Sequence, residues 1–208
     1  MMLRSPGQLP RVARLARAAF SLPELMTAMA VFLMLVAGVL GGHLFGLKMF
    51  EITKAKLSAS EQSRRVLNRL LADLAYARSS TIGAGSFSSF ATVATGNTAQ
   101  GNSLQIYQGT NAAVYVRYFR DASDQFLKRM TNGMAQAEVL AGPIREQDIF
   151  SYQDFRGTNL VMGSVANNAV VSVSMTIIQS MSGRTNPPAG ELVDYYLFET
   201  SVAPRRRE

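Results

Sequence analysis

The sequence predicts an α+β protein: one long N-terminal helix, transmembrane in its first half and amphipathic in its second, packed on a C-terminal antiparallel β-sheet domain. Three observations predict it. Leu25 to Leu47 runs 23 residues without a charge, long enough to cross a hydrocarbon core of about 30 Å as a helix. Val66, Leu67, Leu70, Leu71 and Leu74 then recur at helical spacing, with Arg64, Arg65, Arg69 and Asp73 between them, which gives one apolar and one charged face. Beyond Ser103, short β-type runs alternate with clusters of Gly, Asn, Pro and Asp, the pattern of strands joined by turns.

Taken in order, residues 1–19 form a basic leader in which Arg4, Arg11, Arg14 and Arg17 have no acidic neighbour. These four supply much of the formal net charge of +7. The remaining basic residues are scattered, with no Lys/Arg stripe on one element, so nucleic-acid binding is not indicated. Residues 20–47 are the transmembrane segment. Its charge flanks rival each other, because Lys48, Lys54 and Lys56 follow it closely. A cytoplasmic leader is favoured because the leader carries only positive charge, whereas the downstream flank mixes Lys with Glu51 and Glu61. Residues 48–78 are the amphipathic continuation of the helix, which from Leu25 to Arg78 would extend about 80 Å. Its weakest stretch is Glu51 to Ser63, where Phe50 and Leu57 are the main apolar contacts expected.

Residues 79–103 turn to Ser, Thr, Gly, Ala and Asn and read as a long loop with one short element. Residues 104–208 are a β-rich globular domain with a basic tail. Its expected strands are Leu104–Tyr107, Val114–Phe119, Phe126–Met130, Ile149–Phe155, Val170–Ile177 and Val193–Val202. Gly109-Thr110-Asn111 and Asp121–Asp124 fall between the first three, which predicts adjacent antiparallel hairpins. Packing the sheet on the amphipathic helix buries both apolar faces. Cysteine is absent, which excludes disulfides, thiolate metal sites and cysteine nucleophiles.

At the head of the apolar segment stands Phe20-Ser21-Leu22-Pro23-Glu24-Leu25, preceded by Arg17-Ala18-Ala19. A secretory signal peptide is cut after its apolar stretch; here the recognisable junction lies before it, so cleavage would leave the span attached. Pro23 is tolerated in a first helical turn. This arrangement resembles the type IV prepilins, and the order of span, amphipathic helix, polar loop, β-rich domain and final strand is similar to minor pseudopilins of type II secretion, especially the J-type, or related minor pilins. The resemblance implies a pilin-like fold and cleavage between Ala19 and Phe20 by a prepilin peptidase that also N-methylates Phe20. That family prefers Gly where Ala19 stands, which predicts slower processing.

Glu24 is a carboxylate at the edge of the span, costly in a membrane unless partnered. The resemblance supplies a partner: the Phe20 amine of a neighbouring subunit. Opposite unit charges about 4 Å apart interact by about 1 kcal/mol in water and several-fold more where water is excluded. The implied function is assembly, not catalysis: a minor subunit that initiates or caps a pseudopilus or pilus. Its implied partners are other pilins or pseudopilins, the peptidase and an inner-membrane assembly platform, with the C-terminal domain periplasmic or, after assembly, in an extracellular filament. No cofactor is implied. Two alternatives remain: a surface-displayed adhesin or DNA-uptake pilus subunit, suggested by the tail Arg205–Arg207 and the polar loops, and a stand-alone signal-anchored protein, suggested by Ala19.

Other features have plainer readings. Gly38, Gly42 and Gly46 are four apart and line one helix face, either letting another membrane helix approach or, with Gly41, merely loosening the helix. His43 lacks a second metal-binding residue nearby and reads as structural. Asp121 and Asp124 are too few carboxylates for a Ca²⁺ site and suit a turn. Asn186-Pro187-Pro188 reads as an exposed loop.

Overall fold

The computed structural model describes residues 21–163, 169–180 and 193–203. Among these residues one helix, α1 (Leu22–Ala75), runs 54 residues and is followed by the strands β1 (Ser79–Gly85), β2 (Phe90–Thr92), β3 (Gln100–Gly101), β4 (Ser103–Tyr107), β5 (Tyr115–Arg120), β6 (Leu127–Thr131), β7 (Glu138–Ala141), β8 (Phe150–Gln153), β9 (Val170–Ser180) and β10 (Val193–Val202). The protein is therefore α+β. It divides into two compact units between Lys48 and Met49.

In the first unit the described residues are the helical stretch to Lys48, where nearly every side chain is exposed, Leu, Met, Val and Phe included. No face is reserved for a core. This stretch is long and apolar enough to cross a membrane.

In the second unit the helix becomes one-sided. Ala59, Val66, Leu70 and Leu74 are buried and Leu67 is partly so, a spacing of three, four and seven that keeps one stripe inward. The apolar contacts expected of Phe50 and Leu57 do not form: they are 67% and 60% exposed. Leu71, one residue past the stripe, also faces outward. The helix ends at Ala75, short of the expected Arg78. Ala77 N–H donates to Leu74 O at 3.2 Å, a three-residue closure that tightens the last turn. Arg78 N–H already donates to Tyr107 O at 2.8 Å.

Two antiparallel sheets complete the unit. The six-stranded sheet has the order β2-β1-β4-β5-β6-β7 and the four-stranded sheet β10-β9-β8-β3. The hairpins β4–β5 and β5–β6 form around the anticipated turns. One core joins the helix stripe to both sheets: Ile82, Leu104, Ile106 and Val116 from the larger, Val171, Val173, Met175 and Ile177 from the smaller. The four β9 residues alternate along the strand, so β9 gives one whole face to the core.

Segment 79–103, expected as a loop, instead carries β1, β2 and β3. Two of its glycines stand where backbones meet closely: a Cβ on Gly83 would collide with Ala91 O, and one on Gly101 with Gly83 O. Small residues are thus a packing requirement here, and they remove the apolar alternation by which a strand is recognised. Arg117 of β5 holds the β1–β2 connection in place. Its Nη1 donates to Ser86 O at 2.9 Å and Ser89 O at 3.0 Å, and its Nε to Gln105 Oε1 at 2.9 Å. The guanidinium also lies over the Phe90 and Tyr115 rings, 5.3 and 5.0 Å from their centroids. β7 was also unanticipated, being four residues of which only Leu140 and Ala141 face inward.

Leu70→Ala should lower the unfolding free energy by roughly 2–5 kcal/mol, whereas Leu57→Ala, on the exposed side, should change it by less than about 0.5 kcal/mol. Urea unfolding followed by tyrosine fluorescence measures both.

Candidate functional site

The start of α1 carries the Glu half of a capping box. Ser21 precedes the first helical residue, and Glu24 stands third in the helix. The Glu24 carboxylate accepts from Ser21 N–H at 3.2 Å and from Ser21 Oγ at 3.1 Å, both on Oε2. Ser-x-x-Glu ahead of an apolar run is the capping-box spacing, in which the third residue satisfies the donor of the cap residue. A carboxylate here also complements the positive end of the helix dipole. Thr27 Oγ1 donates back to Glu24 O at 2.9 Å. Pro23 is the second helical residue, where its missing N–H costs no helical bond. Glu24 therefore finds hydrogen-bond donors within its own helix. The sequence carried the signal for this, a Ser three residues before the Glu, although the acid alone suggested an intermolecular partner.

Ala19 and Phe20 lie outside the described residues, as do the leader arginines, Asn186-Pro187-Pro188 and Arg205–Arg207. Gly38, Gly42 and Gly46 fall at four-residue spacing on α1, and an added Cβ at any of them would meet nothing within 4 Å. Among the described residues nothing covers the stripe. His43 is exposed on the same stretch.

Asp121 and Asp124 lie in the β5–β6 turn, with the Lys128 ammonium between them: Nζ is 2.7 Å from Asp121 Oδ2 and 2.5 Å from Asp124 Oδ2. Asp121 Oδ1 also accepts from Ser123 N–H and Oγ, and Asp124 Oδ1 from Phe126 N–H. The carboxylates thus shape the turn and already hold a cation, one supplied by the chain. The hydrogen bond from Lys128, then those from Ser123, lower the Asp121 carboxyl from 3.8 to about 2. For Lys128, burial pulls downward, but the bonds to Asp121 and Asp124 outweigh it and the net shift is upward.

A buried polar cluster, not evident from the sequence, joins the helix to the larger sheet. Asp73 stands in the last turn of α1, where no basic residue offsets it and the helix dipole disfavours a carboxylate. Its partners come from the strands. Tyr118 Oη donates to Asp73 Oδ2 at 2.5 Å, Arg129 Nε to the same oxygen at 2.8 Å, and Arg129 Nη2 to Oδ1 at 3.1 Å. Burial, then the bond to Asp73, push the Tyr118 phenol well above its ordinary range. The bond to Asp73 likewise raises the Arg129 guanidinium, against the opposing effect of burial. The phenol therefore remains a donor and the guanidinium a cation. Glu138 lies near both Arg129 and Arg69, at 4.0 and 3.7 Å, distances that contribute little at the surface.

Asp73→Ala strands the Arg129 charge and should cost roughly 3–5 kcal/mol, while Tyr118→Phe, which removes one donor, should cost about 1–2 kcal/mol; denaturant unfolding of both variants measures the difference. The turn predicts a pH dependence with a fixed sign. Asp121 has its pKa lowered on folding, so its stabilisation is present above 3.8 and lost as pH falls toward about 2. Asp121→Asn should lower the unfolding midpoint at pH 6 and leave it nearly unchanged at pH 2. No protein family, characterised protein or solved structure matches the chain, so a functional reading rests on these residues.

Proposed function

We propose that the chain is a membrane-anchored minor subunit of a filament of the type IV pilus or type II secretion pseudopilus kind, pilin-like in fold, cut before Phe20 and anchored in the inner membrane with its β-rich unit on the periplasmic side. The observation that carries the reading is the distribution of charge along α1: Glu24 is the only formally charged side chain between Leu22 and Leu47, and it sits at the very start. A carboxylate in that place is unneeded for anchoring and expensive to insert. A filament gives it a use, because a neighbour's Phe20 amine pairs with it and sets the register of subunit on subunit.

The capping bonds leave room for this. Both fall on Oε2, and an ionised carboxylate accepts about four hydrogen bonds. An incoming ammonium then gains a carboxylate whose orientation is already fixed. The same bonds favour a second reading, a stand-alone anchored protein, since Ser21 supports Glu24 with no neighbour at all. The two differ in whether the charge or only the cap matters. The adhesin or DNA-uptake alternative draws on the tail, which is outside the described residues.

Amino-terminal mass spectrometry tests the processing: a mature chain beginning with N-methylated Phe20 is the expected product, and an intact leader on functional molecules would sink the reading. Glu24→Gln tests the charge, because Gln also completes a capping box but cannot pair with an amine. Crosslinking to neighbouring subunits should fall at least about tenfold in that variant. Ser21→Ala, which weakens the cap and keeps the charge, should leave crosslinking largely intact. Equal crosslinking by Glu24→Gln and the parent would instead favour the stand-alone anchor.

A further inference from the structure

The two sheets end in four edge strands, and their exposure differs. β2, β3 and β7 are three, two and four residues long, and short edges offer little to pair with. β10 is ten residues long and pairs with β9 alone, in unbroken register from Val193 opposite Ser180 to Val202 opposite Val171. No other described strand lies on its far side. Most features that protect such an edge are missing: Val-Asp-Tyr-Tyr-Leu-Phe-Glu-Thr-Ser-Val holds no Lys, no Arg and no Pro, its charges are Asp194 and Glu199 alone, and the register shows no bulge. Tyr195 and Leu197 point to the same face and are 54% and 69% exposed. Arg145 stacks on the Tyr195 ring at 5.5 Å, which holds the ring over the sheet.

We infer that β10 is a strand-pairing site whose occupant is β10 of a second copy of this chain, joined antiparallel about a two-fold axis at Tyr196. An edge of this kind is covered by an extended strand, since only that satisfies a row of main-chain donors and acceptors. The side chains select the copy. Antiparallel pairing centred on Tyr196 sets Tyr195 opposite the partner's Leu197, and by symmetry Leu197 opposite the partner's Tyr195, an aromatic–aliphatic pair on each side of the axis. The same register sets Asp194 opposite Phe198 and Glu199 opposite Val193, so neither carboxylate meets its own kind. Like charges directly opposite each other are what would oppose self-pairing, and this alignment avoids them. The Tyr195 N–H, held by Asp194 Oδ1 at 3.0 Å, exchanges that bond for one across the interface. The resulting contact is isologous and closed, two chains and no more. It requires neither leader removal nor a filament, so it stands or falls apart from the function proposed above.

The absence of cysteine makes the test clean. Two differently tagged full-length chains, one Tyr195→Cys and one Leu197→Cys, are co-expressed and oxidised mildly in membranes and in detergent. Directly opposed residues bring their Cβ atoms within about 5 Å. The mixture should give a disulfide-linked pair carrying both tags, several-fold more than either chain gives with itself. Both positions are exposed, so folding is spared. Leu197→Lys should convert the two-chain species of the cysteine-free protein to one chain in sedimentation. Equal crosslinking in every combination, no crosslinking, crosslinking to a different protein, or a pair that survives Leu197→Lys overturns the inference.

Discussion

The ion pair between Asp73 and Arg129 is the contact on which the arrangement of the second unit depends. Val66, Leu70 and Leu74 bury the helix stripe, but apolar burial is non-directional, and such a stripe tolerates rotation and sliding over a sheet. Asp73 removes that freedom. Its two oxygens take three bonds, from Tyr118 on β5 and Arg129 on β6, and a bidentate guanidinium fixes angle as well as distance. The acid also sits where the helix dipole works against it, so it is tolerated because the strands supply a cation. The rotation of the helix and its position on the sheet are fixed by one group.

From that point the chain turns directly into the sheet. Leu74 is buried, Ala77 closes the last turn on Leu74 O, and Arg78 N–H reaches Tyr107 O. Only Tyr76, Ala77 and Arg78 link the amphipathic helix to β1. The expected boundary at Arg78 was late because alanines at 72, 75 and 77 suit a helix as well as a turn; the carbonyl of Tyr107, distant in sequence, decides where it stops.

The main architecture was legible in the sequence, and the exceptions have physical causes. A 23-residue uncharged run, a leucine stripe and turns rich in Asp, Asn and Gly are local patterns, so the long helix and the β4–β5–β6 meander could be read directly. β1, β2 and β3 could not. Their residues are small because Gly83, Gly85 and Gly101 admit neighbouring backbone and side chains at close range, a constraint invisible without the partner strand. Phe50 and Leu57 failed as contacts for the opposite reason: their apolar character suggested burial, yet the inward stripe passes through Ala59 and Val66. Arg129 and Tyr118 gave no local sign of their pairing with Asp73, which lies 56 and 45 residues away.

On the proposed reading, Glu24 satisfies a local rule and a longer-range one together. Bonded to Ser21, it completes the helix start; an uncharged Gln would do nearly the same. The negative charge is the part that the cap does not need. A carboxylate drawn fully into hydrocarbon costs about 2.5–3.5 kcal/mol, whereas the local benefit of capping is about 1 kcal/mol. The balance is unfavourable for a solitary helix inserted to that depth. It becomes favourable when a cation arrives in a water-poor setting, where the same attraction grows several-fold. Ser21 then has a second effect, because a carboxylate already held by its own helix loses less side-chain freedom on pairing. On the proposed reading, the cap prepares the acid for the neighbour.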